Sequence, residues 1–255
     1  MSSGRIEHLF RKERHGGALI QWAPGDAIEC ISGFGIAGDV HAHRLSPRQI
    51  LITLQSELDA LRIAQGALHE NMVISSNSPE LFRPGSALIT RGGVEIRFTM
   101  FCEPCKLILP VVRDLASMVK RRGILGYIEK GGVIQLGDEL CLQPDRYPAL
   151  PESAYEKFLD FVATIPVGKV VRYSDVTIAM GVADSFVRAI PGYIKRSSGA
   201  NLPVHRIVTG RGGLLPYVPC QADKLTAEGV HVKLHADLDD ISPGTVALKS
   251  YLWQG

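Results

Sequence analysis

The chain has 255 residues, with 28 Lys and Arg against 26 Asp and Glu, 45% hydrophobic residues, 26 Gly and 15 Pro. A net charge of +2 with 21% charged residues excludes the highly charged, weakly hydrophobic class that stays disordered, and the length suits one large domain or two ordinary ones. No run of 18 apolar residues is present to span a membrane, and Met1-Ser2-Ser3-Gly4-Arg5-Ile6-Glu7-His8 lacks the apolar region of a secretory signal, so the chain reads as cytoplasmic with no membrane partner.

From the amino end, strand-like segments are expected at residues 18–22, 27–31, 49–53, 87–90, 94–99 and 139–142. Turn signals separate them: Pro24-Gly25-Asp26, Pro84-Gly85, Arg91-Gly92-Gly93 and Gly137-Asp138. Two helical interruptions are expected, at 56–65 and 111–121, where apolar residues recur at roughly helical spacing. Residues 1–143 therefore read as a mostly β, barrel-like domain.

Residues 144–152 hold prolines at 144, 148 and 151 with no periodicity, as a linker does. Beyond it Tyr155, Phe158, Leu159, Val162 and Ile165 line one helical face that Pro166 ends. Ser174 is placed to cap a helix over 175–180 that Gly181 ends, and Asp184 to cap a helix over 185–196 that Pro191 should kink. A short helix, a tight turn and a second helix make a helix-turn-helix candidate, so residues 153–255 read as a mainly α, winged-helix-like unit. The fold class expected is a two-domain α+β protein.

Five cysteines, Cys30, Cys102, Cys105, Cys141 and Cys220, are an odd number in a chain large enough not to need staples, which argues against a disulfide framework. Cys102-x-x-Cys105 and His231-x-x-x-His235 lie too far apart for a zinc finger. Between Pro166 and Gly212, seven basic residues (Lys169, Arg172, Arg188, Lys195, Arg196, Arg206, Arg211) face two acids (Asp175, Asp184), a local net of +5 that leaves −3 for the rest. Such concentration on a helix-turn-helix candidate is the footprint of a phosphate-backbone binder, the alternative being a solvated basic face.

The same region carries Ile165-Pro166-Val167-Gly168-Lys169-Val170-Val171-Arg172-Tyr173-Ser174-Asp175-Val176, then Val187-Arg188-Ala189-Ile190, Leu202-Pro203-Val204-His205-Arg206-Ile207-Val208 and Ala227-Glu228-Gly229-Val230. In these motifs it resembles the DNA-binding domain of O6-alkylguanine-DNA alkyltransferases over residues 153–235. That family's active motif is Pro-Cys-His-Arg, and here Val204 stands in place of the nucleophile, which excludes alkyl transfer at this position. Cys220 lies outside the motif. The chain is therefore similar to the alkyltransferase-like branch, which binds a damaged base without repairing it. In that branch the stretch 195–203 and the ending 227–230 have close counterparts.

The resemblance implies double-stranded DNA carrying alkylated guanine as partner, with Tyr173 crowding the phosphate of the target nucleotide and Arg188 filling the space it vacates. Gly192, Lys195, Arg196 and Arg206 are implied as further DNA contacts. Val204, His205 and Glu228 are implied to line the lesion pocket, the last two in a structural role because no thiol is present to activate. On the bland alternative Tyr173 is a boundary tyrosine and Arg188 a plain phosphate contact.

The first domain carries Gly33-Phe34-Gly35-Ile36-Ala37-Gly38-Asp39-Val40-His41-Ala42, Arg48-Gln49-Ile50, Glu70-Asn71, Leu81-Phe82-Arg83-Pro84-Gly85, Cys102-Glu103-Pro104-Cys105 and Gly137-Asp138. These resemble a MOSC domain, the β-rich module of molybdenum-cofactor sulfurases. The resemblance implies a pterin-based molybdenum cofactor, with Cys105 as thiolate ligand to the metal or as sulfur carrier. Arg48, His41, Arg44 and Asn71 are the candidates for its phosphate, while on the alternative Cys102 and Cys105 are a redox-active or an inert pair.

Three functions are then consistent with the two resemblances. In the first, lesion recognition is joined to cofactor-dependent reduction of N-hydroxylated or related damaged bases, which needs an electron donor. The second is lesion binding that recruits excision-repair proteins, and the third is cofactor sulfur transfer.

Overall fold

Runs of β-branched and aromatic residues ending in Gly and Pro turns build eleven strands in the first part of the computed structural model, which describes residues 3–197, 199, 201–234 and 242–255. Contacts divide the chain into two units, Met1–Leu150 and Pro151–Gly255. In the first unit the strands are β1 (Gly4–Arg11), β2 (Ile20–Gln21), β3 (Ala27–Ile31), β4 (Gly35–Ile36), β5 (Ile50–Leu54), β6 (Met72–Ser76), β7 (Ala87–Thr90), β8 (Glu95–Phe101), β9 (Ile124–Lys130), β10 (Gly132–Gln135) and β11 (Glu139–Gln143).

Seven of them close a barrel in the order β11-β7-β8-β9-β5-β6-β1 and back to β11, so no ring strand keeps a bare edge. Every neighbouring pair in the ring is antiparallel except β5 and β6. Parallel pairing needs a crossover, and helix α1 (Gln55–Leu61) with the loop after it supplies one. Strand β2 extends β1, while β10, β3 and β4 form a small separate sheet. The barrel is filled by Ile6, Ile52, Met72, Ile74, Leu88, Ile96, Phe98 and Ile128, all essentially inaccessible.

The segment 111–121, expected to be helical, is not. It carries a 3-10 turn at Ala116–Met118, after another at Lys106–Ile108. Ile108 and Met118 are buried while Leu107, Leu109, Val111 and Val119 are exposed, so the apolar residues do not share the single face that would stabilise an amphipathic helix. Strands β1, β6 and β9 in the ring, and β4 and β10 outside it, go beyond the strands that the sequence pattern marks. The proline-rich segment after β11 lies against the barrel. Tyr147 Oη donates to Glu95 at 2.6 Å, Arg97 Nη2 donates to the Pro148 carbonyl at 2.7 Å, and Arg83 pairs with Asp145.

In the second unit helix α2 (Ala154–Thr164) starts at Ser153, whose Oγ accepts from the Glu156 N–H at 3.2 Å, and buries Phe158 and Val162. Strand β12 (Val171–Arg172) leads into α3 (Tyr173–Met180), which Gly181 ends in the left-handed conformation at φ 65°. Ser174 is not the cap. The helix begins one residue before it, and the Asp175 carboxylate accepts the Arg172 N–H at 2.8 Å.

Asp184 makes no side-chain cap either. It opens a 3-10 turn, Asp184–Arg188, followed by α4 (Ile190–Arg196). Pro191 therefore stands in the first turn of α4, where its missing N–H costs little, and the expected kink is a break between two shorter helices. Strand β13 (Ile207–Val208) pairs in parallel with β12, and α5 (Gln221–Ala227), β14 (Val232–Leu234), β15 (Gly244–Val246) and α6 (Leu248–Tyr251) complete the unit. Its core joins α2, α3 and α4 through Phe158, Val162, Val176, Met180, Ile190 and Ile194. No helix among the described residues is long and apolar enough to cross a membrane.

Candidate functional site

The Pro203-Val204-His205-Arg206 motif forms a 3-10 turn, Val204–Arg206, that runs into β13. Its backbone is fixed by buried Gln221, whose Nε2 donates to the carbonyls of His205 at 2.9 Å and Ile207 at 2.8 Å while its Oε1 accepts the Leu215 N–H at 2.6 Å. A buried amide satisfied on both ends holds three chain segments in register.

Beside this turn lies a cavity of about 500 Å³ lined among others by Lys195, Leu202, Val204, His205, Tyr217 and Lys224. That volume is within the range of small-molecule sites, roughly 300–1,000 Å³. None of the described lining residues is a cysteine. Val204 is half-buried and packs on the core, so it offers the cavity only methyl surface.

Glu228 braces the motif from behind. It accepts from His205 Nε2 at 2.7 Å, from Arg206 Nη2 at 2.7 Å and Nε at 2.9 Å, and from the Gly168 N–H at 3.1 Å. Burial alone would raise its carboxyl, but the hydrogen bonds from Arg206, His205 and Gly168 outweigh it and hold the pKa at about 2. Arg206, implied above as a DNA contact, is part of this brace in the structure. Only 12% exposed, it spends its guanidinium on Glu228 and on the Ile165 carbonyl at 2.5 Å, because a carboxylate this close outcompetes solvent.

Tyr173, at the start of α3, bonds through its phenol oxygen to that of Tyr217 in the cavity wall. Burial and this bond push the Tyr173 phenol above its ordinary pKa. Lys195 Nζ stands 5.1 Å from the Tyr217 ring centre. Arg188 is exposed on the 3-10 turn, and Gly192 is also exposed with open space where a Cβ would project. Arg196 stacks 3.9 Å over the ring of Tyr155. Sequence reasoning does not find Tyr217, which lies 44 positions from Tyr173.

In the first unit the separate motifs meet. Asn71 Nδ2 donates to Asp39 Oδ2 at 2.9 Å, and Asp39 also accepts from the Lys12 N–H at 2.9 Å and the His41 N–H at 2.9 Å. Asn71 is 4% exposed and its Oδ1 accepts the Leu51 N–H at 3.0 Å, so its amide organises this loop cluster instead of reaching outward. His41 is exposed and bonds Asp39 Oδ1 through Nδ1 at 3.1 Å. Arg44 is exposed and faces the Phe34 ring at 5.9 Å.

Cys105, half-buried just beyond β8, receives Arg122 Nη1 on its sulfur at 3.1 Å. Arg122 is 6% exposed, gives the same Nη1 to the Glu103 carbonyl at 2.6 Å, and has a buried Nε with no partner among the described residues. Arg122 and Arg48 both act on the Cys102 thiol, which burial nonetheless pushes up. Burial, then Lys12 and Arg122, push the His69 imidazole down. Cys105 thus sits against the Arg122 guanidinium, while Lys12 and Arg122 both act on His69, and sequence reasoning names none of these three. All five cysteines are free thiols. No cluster of three or more metal-ligating side chains occurs among the described residues, and His235 lies outside them.

No curated protein matches this chain. Among solved structures it is similar to the YuaD protein of Bacillus subtilis, at 22% identity over 56% of this chain and 98% of that one, TM-score 0.47. It is also similar to Atl1 of S. pombe in complex with damaged DNA containing O6-carboxymethylguanine, at 26% identity over 40% of this chain and 95% of that one, TM-score 0.36. YiiM from Escherichia coli is similar at 16% identity over 81% of this chain and 99% of that one, TM-score 0.42. Residues 153–230, which contain the cavity-forming turn, Tyr173, Arg188 and Glu228, match the family model of the 6-O-methylguanine DNA methyltransferase DNA-binding domain.

Proposed function

We propose that the second unit binds O6-alkylguanine-type lesions in duplex DNA by rotating the damaged nucleotide into the cavity beside Val204, without transferring the alkyl group. The observation that carries this reading is the family's DNA-binding match combined with a valine at the acceptor position, on a turn whose His205–Glu228 pair is intact. Valine has no lone pair to attack carbon, and its methyls favour an alkyl substituent by burial.

Tyr173 crowds the phosphate and Arg188, free of the core, enters the stack. Extruding a base costs a few kcal/mol, and an inserted side chain returns part of it. The test is titration of the full chain with a duplex carrying O6-methylguanine and with its unmodified counterpart, followed by mass spectrometry of the protein. Tighter binding of the lesion duplex with no methyl gained by the protein supports the reading. Equal affinity for both duplexes, or a methylated protein, overturns it.

A second reading concerns the first unit and is favoured by the Arg122–Cys105 contact. A soft sulfur in a cationic setting, with an unpartnered buried guanidinium nitrogen beside it, fits a pterin-based molybdenum cofactor. Cys105 would hold the metal, and Arg122 and Arg48 the anionic parts. When bound, the cofactor supplies two-electron redox chemistry suited to N-hydroxylated bases. Molybdenum analysis of protein from a cofactor-competent host is the test. Near-stoichiometric metal that is lost in Cys105→Ser supports the reading, and metal-free protein from that host overturns it.

A further inference from the structure

Phe186 is a large apolar side chain whose surface folding removes from water only in part. It sits in the 3-10 turn Asp184–Arg188 and remains 38% exposed, outside the buried cluster of α2, α3 and α4. Its backbone is nevertheless fixed, since its N–H donates to the Ala183 carbonyl at 2.9 Å and its carbonyl accepts the Ala189 N–H at 2.8 Å. Full burial of such a ring would remove more apolar surface from water, and part of that gain is forgone here.

Single exposed apolar residues are common and by themselves mean nothing. Position gives this one meaning. Phe186 is two residues from Arg188, in the 3-10 turn that precedes α4, in a segment matched to a DNA-binding domain. With three residues per turn, side chains two apart on a 3-10 turn diverge by about 120°, so the ring and the guanidinium address neighbouring places without competing for one. The turn's hydroxyl and cation, Ser185 and Arg188, suit phosphate and do not account for the ring between them. An aromatic ring facing a nucleic acid finds its favourable contact on base faces.

We propose that Phe186 is an apolar wedge that enters the base stack of duplex DNA next to the extruded nucleotide, while Arg188 fills the vacated space. This rests on the lesion-binding reading above. Wedges of this kind part a base step and kink the duplex, which lowers the cost of rotating the adjacent nucleotide out. The two side chains together make a double insertion, in which the apolar member holds the step open and the charged member replaces the lost pairing.

The experiment uses the full chain and end-labelled duplexes with O6-methylguanine beside 2-aminopurine, or guanine in place of the lesion, reading affinity, duplex bend by energy transfer and 2-aminopurine emission. Phe186→Ala should weaken binding of the lesion duplex by about tenfold, reduce the bend and change the emission, while Phe186→Leu, still an apolar wedge, keeps most of the affinity and bend. Because the ring is partly exposed and lies outside the core cluster, thermal stability should fall modestly in Phe186→Ala and stay nearly unchanged in Phe186→Leu, which separates a folding defect from the loss of the wedge. If Phe186→Ala binds the lesion duplex within about twofold of the unmutated protein with the same bend, the wedge is overturned while the lesion reading stands. If the unmutated protein shows no lesion preference, both fall.

Discussion

The phenol oxygens of Tyr173 and Tyr217 are hydrogen-bonded to each other, linking the first residue of α3 to the wall of the cavity beside Val204. If Tyr173 acts on the phosphate of the target nucleotide, Tyr217 fixes the angle from which it does so. Tyr217→Phe keeps the ring under Lys195 and removes only this bond, so lesion-duplex affinity should fall by about three- to tenfold. Tyr173→Phe should cost as much. The double variant should cost no more than either single one, because both remove the same interaction. Additive losses in binding titrations would mean that the two hydroxyls work separately.

Glu228 gives the second unit an acid-sensitive joint. Its carboxyl is held at about 2 in the folded protein, against an ordinary value of 4.5. Between those values the unfolded chain takes up the proton and the folded one does not, so stability rises with pH across this window. The contribution is complete above about pH 4.5 and is lost as pH falls through about 2. Urea melts followed by Trp253, which stacks on Phe161 in the same unit, should show this loss. Glu228→Gln should flatten the pH dependence and cost about 2 kcal/mol at pH 7, because Arg206 and His205 keep their places but lose a charged acceptor. A variant with the parent's pH profile would show that the carboxylate carries no such load.

Local patterns make part of this architecture readable. Strands β3, β5, β7 and β8 are short runs with β-branched residues near Gly or Pro turns, β11 alternates buried Leu140 and Leu142 after the Gly137-Asp138 turn, and Phe158 and Val162 lie on the apolar face that marks α2. Closure of the barrel is less legible, because β1 contains Arg5, Glu7 and His8, and β9 contains Gly126, Glu129 and Lys130. Such residues are tolerated where alternate positions face solvent, and the pairing partner that decides this is remote in sequence. The same holds for the sites. Motif order points to Val204, His205 and Glu228, but Arg122 stands in a Lys120-Arg121-Arg122 run that reads as a solvated surface. Its burial follows from the chain turning at Gly123, whose φ of +113° and close approach to the Ile52 carbonyl leave no room for a side chain.

Arg122 separates a cofactor site from an inert cysteine pair. Its planar fork is a directional donor that the point charge of lysine does not imitate. Arg122→Lys should therefore lower molybdenum occupancy by about tenfold in protein from a cofactor-competent host, with thermal stability nearly kept because a cation remains. Arg91→Ala, an exposed side chain paired with Glu139, should leave occupancy unchanged. Equal occupancy in the parent and the Arg122 variant would remove this residue from the site.

Restoring a thiol asks how much of the transfer machinery persists around Val204. The His205–Glu228 bond is in place at 2.7 Å, and Gln221 fixes the turn from beneath. Cysteine carries one sulfhydryl where valine carries two methyls, so Val204→Cys is slightly smaller and should be accommodated without overpacking. Glu228 is committed to Arg206 as well as to His205, but a charged acceptor on Nε2 still favours the imidazole orientation that a thiol needs as proton acceptor. The variant should take up one methyl group per molecule from an O6-methylguanine duplex, in a single turnover detected as a mass increase on the peptide that spans the substituted position. Glu228→Gln in that background should slow the transfer by roughly one hundredfold, the scale of general-base assistance. A Val204→Cys protein that binds the lesion duplex as tightly as the parent and never gains the methyl would show that the cavity presents the alkyl carbon away from the introduced sulfur.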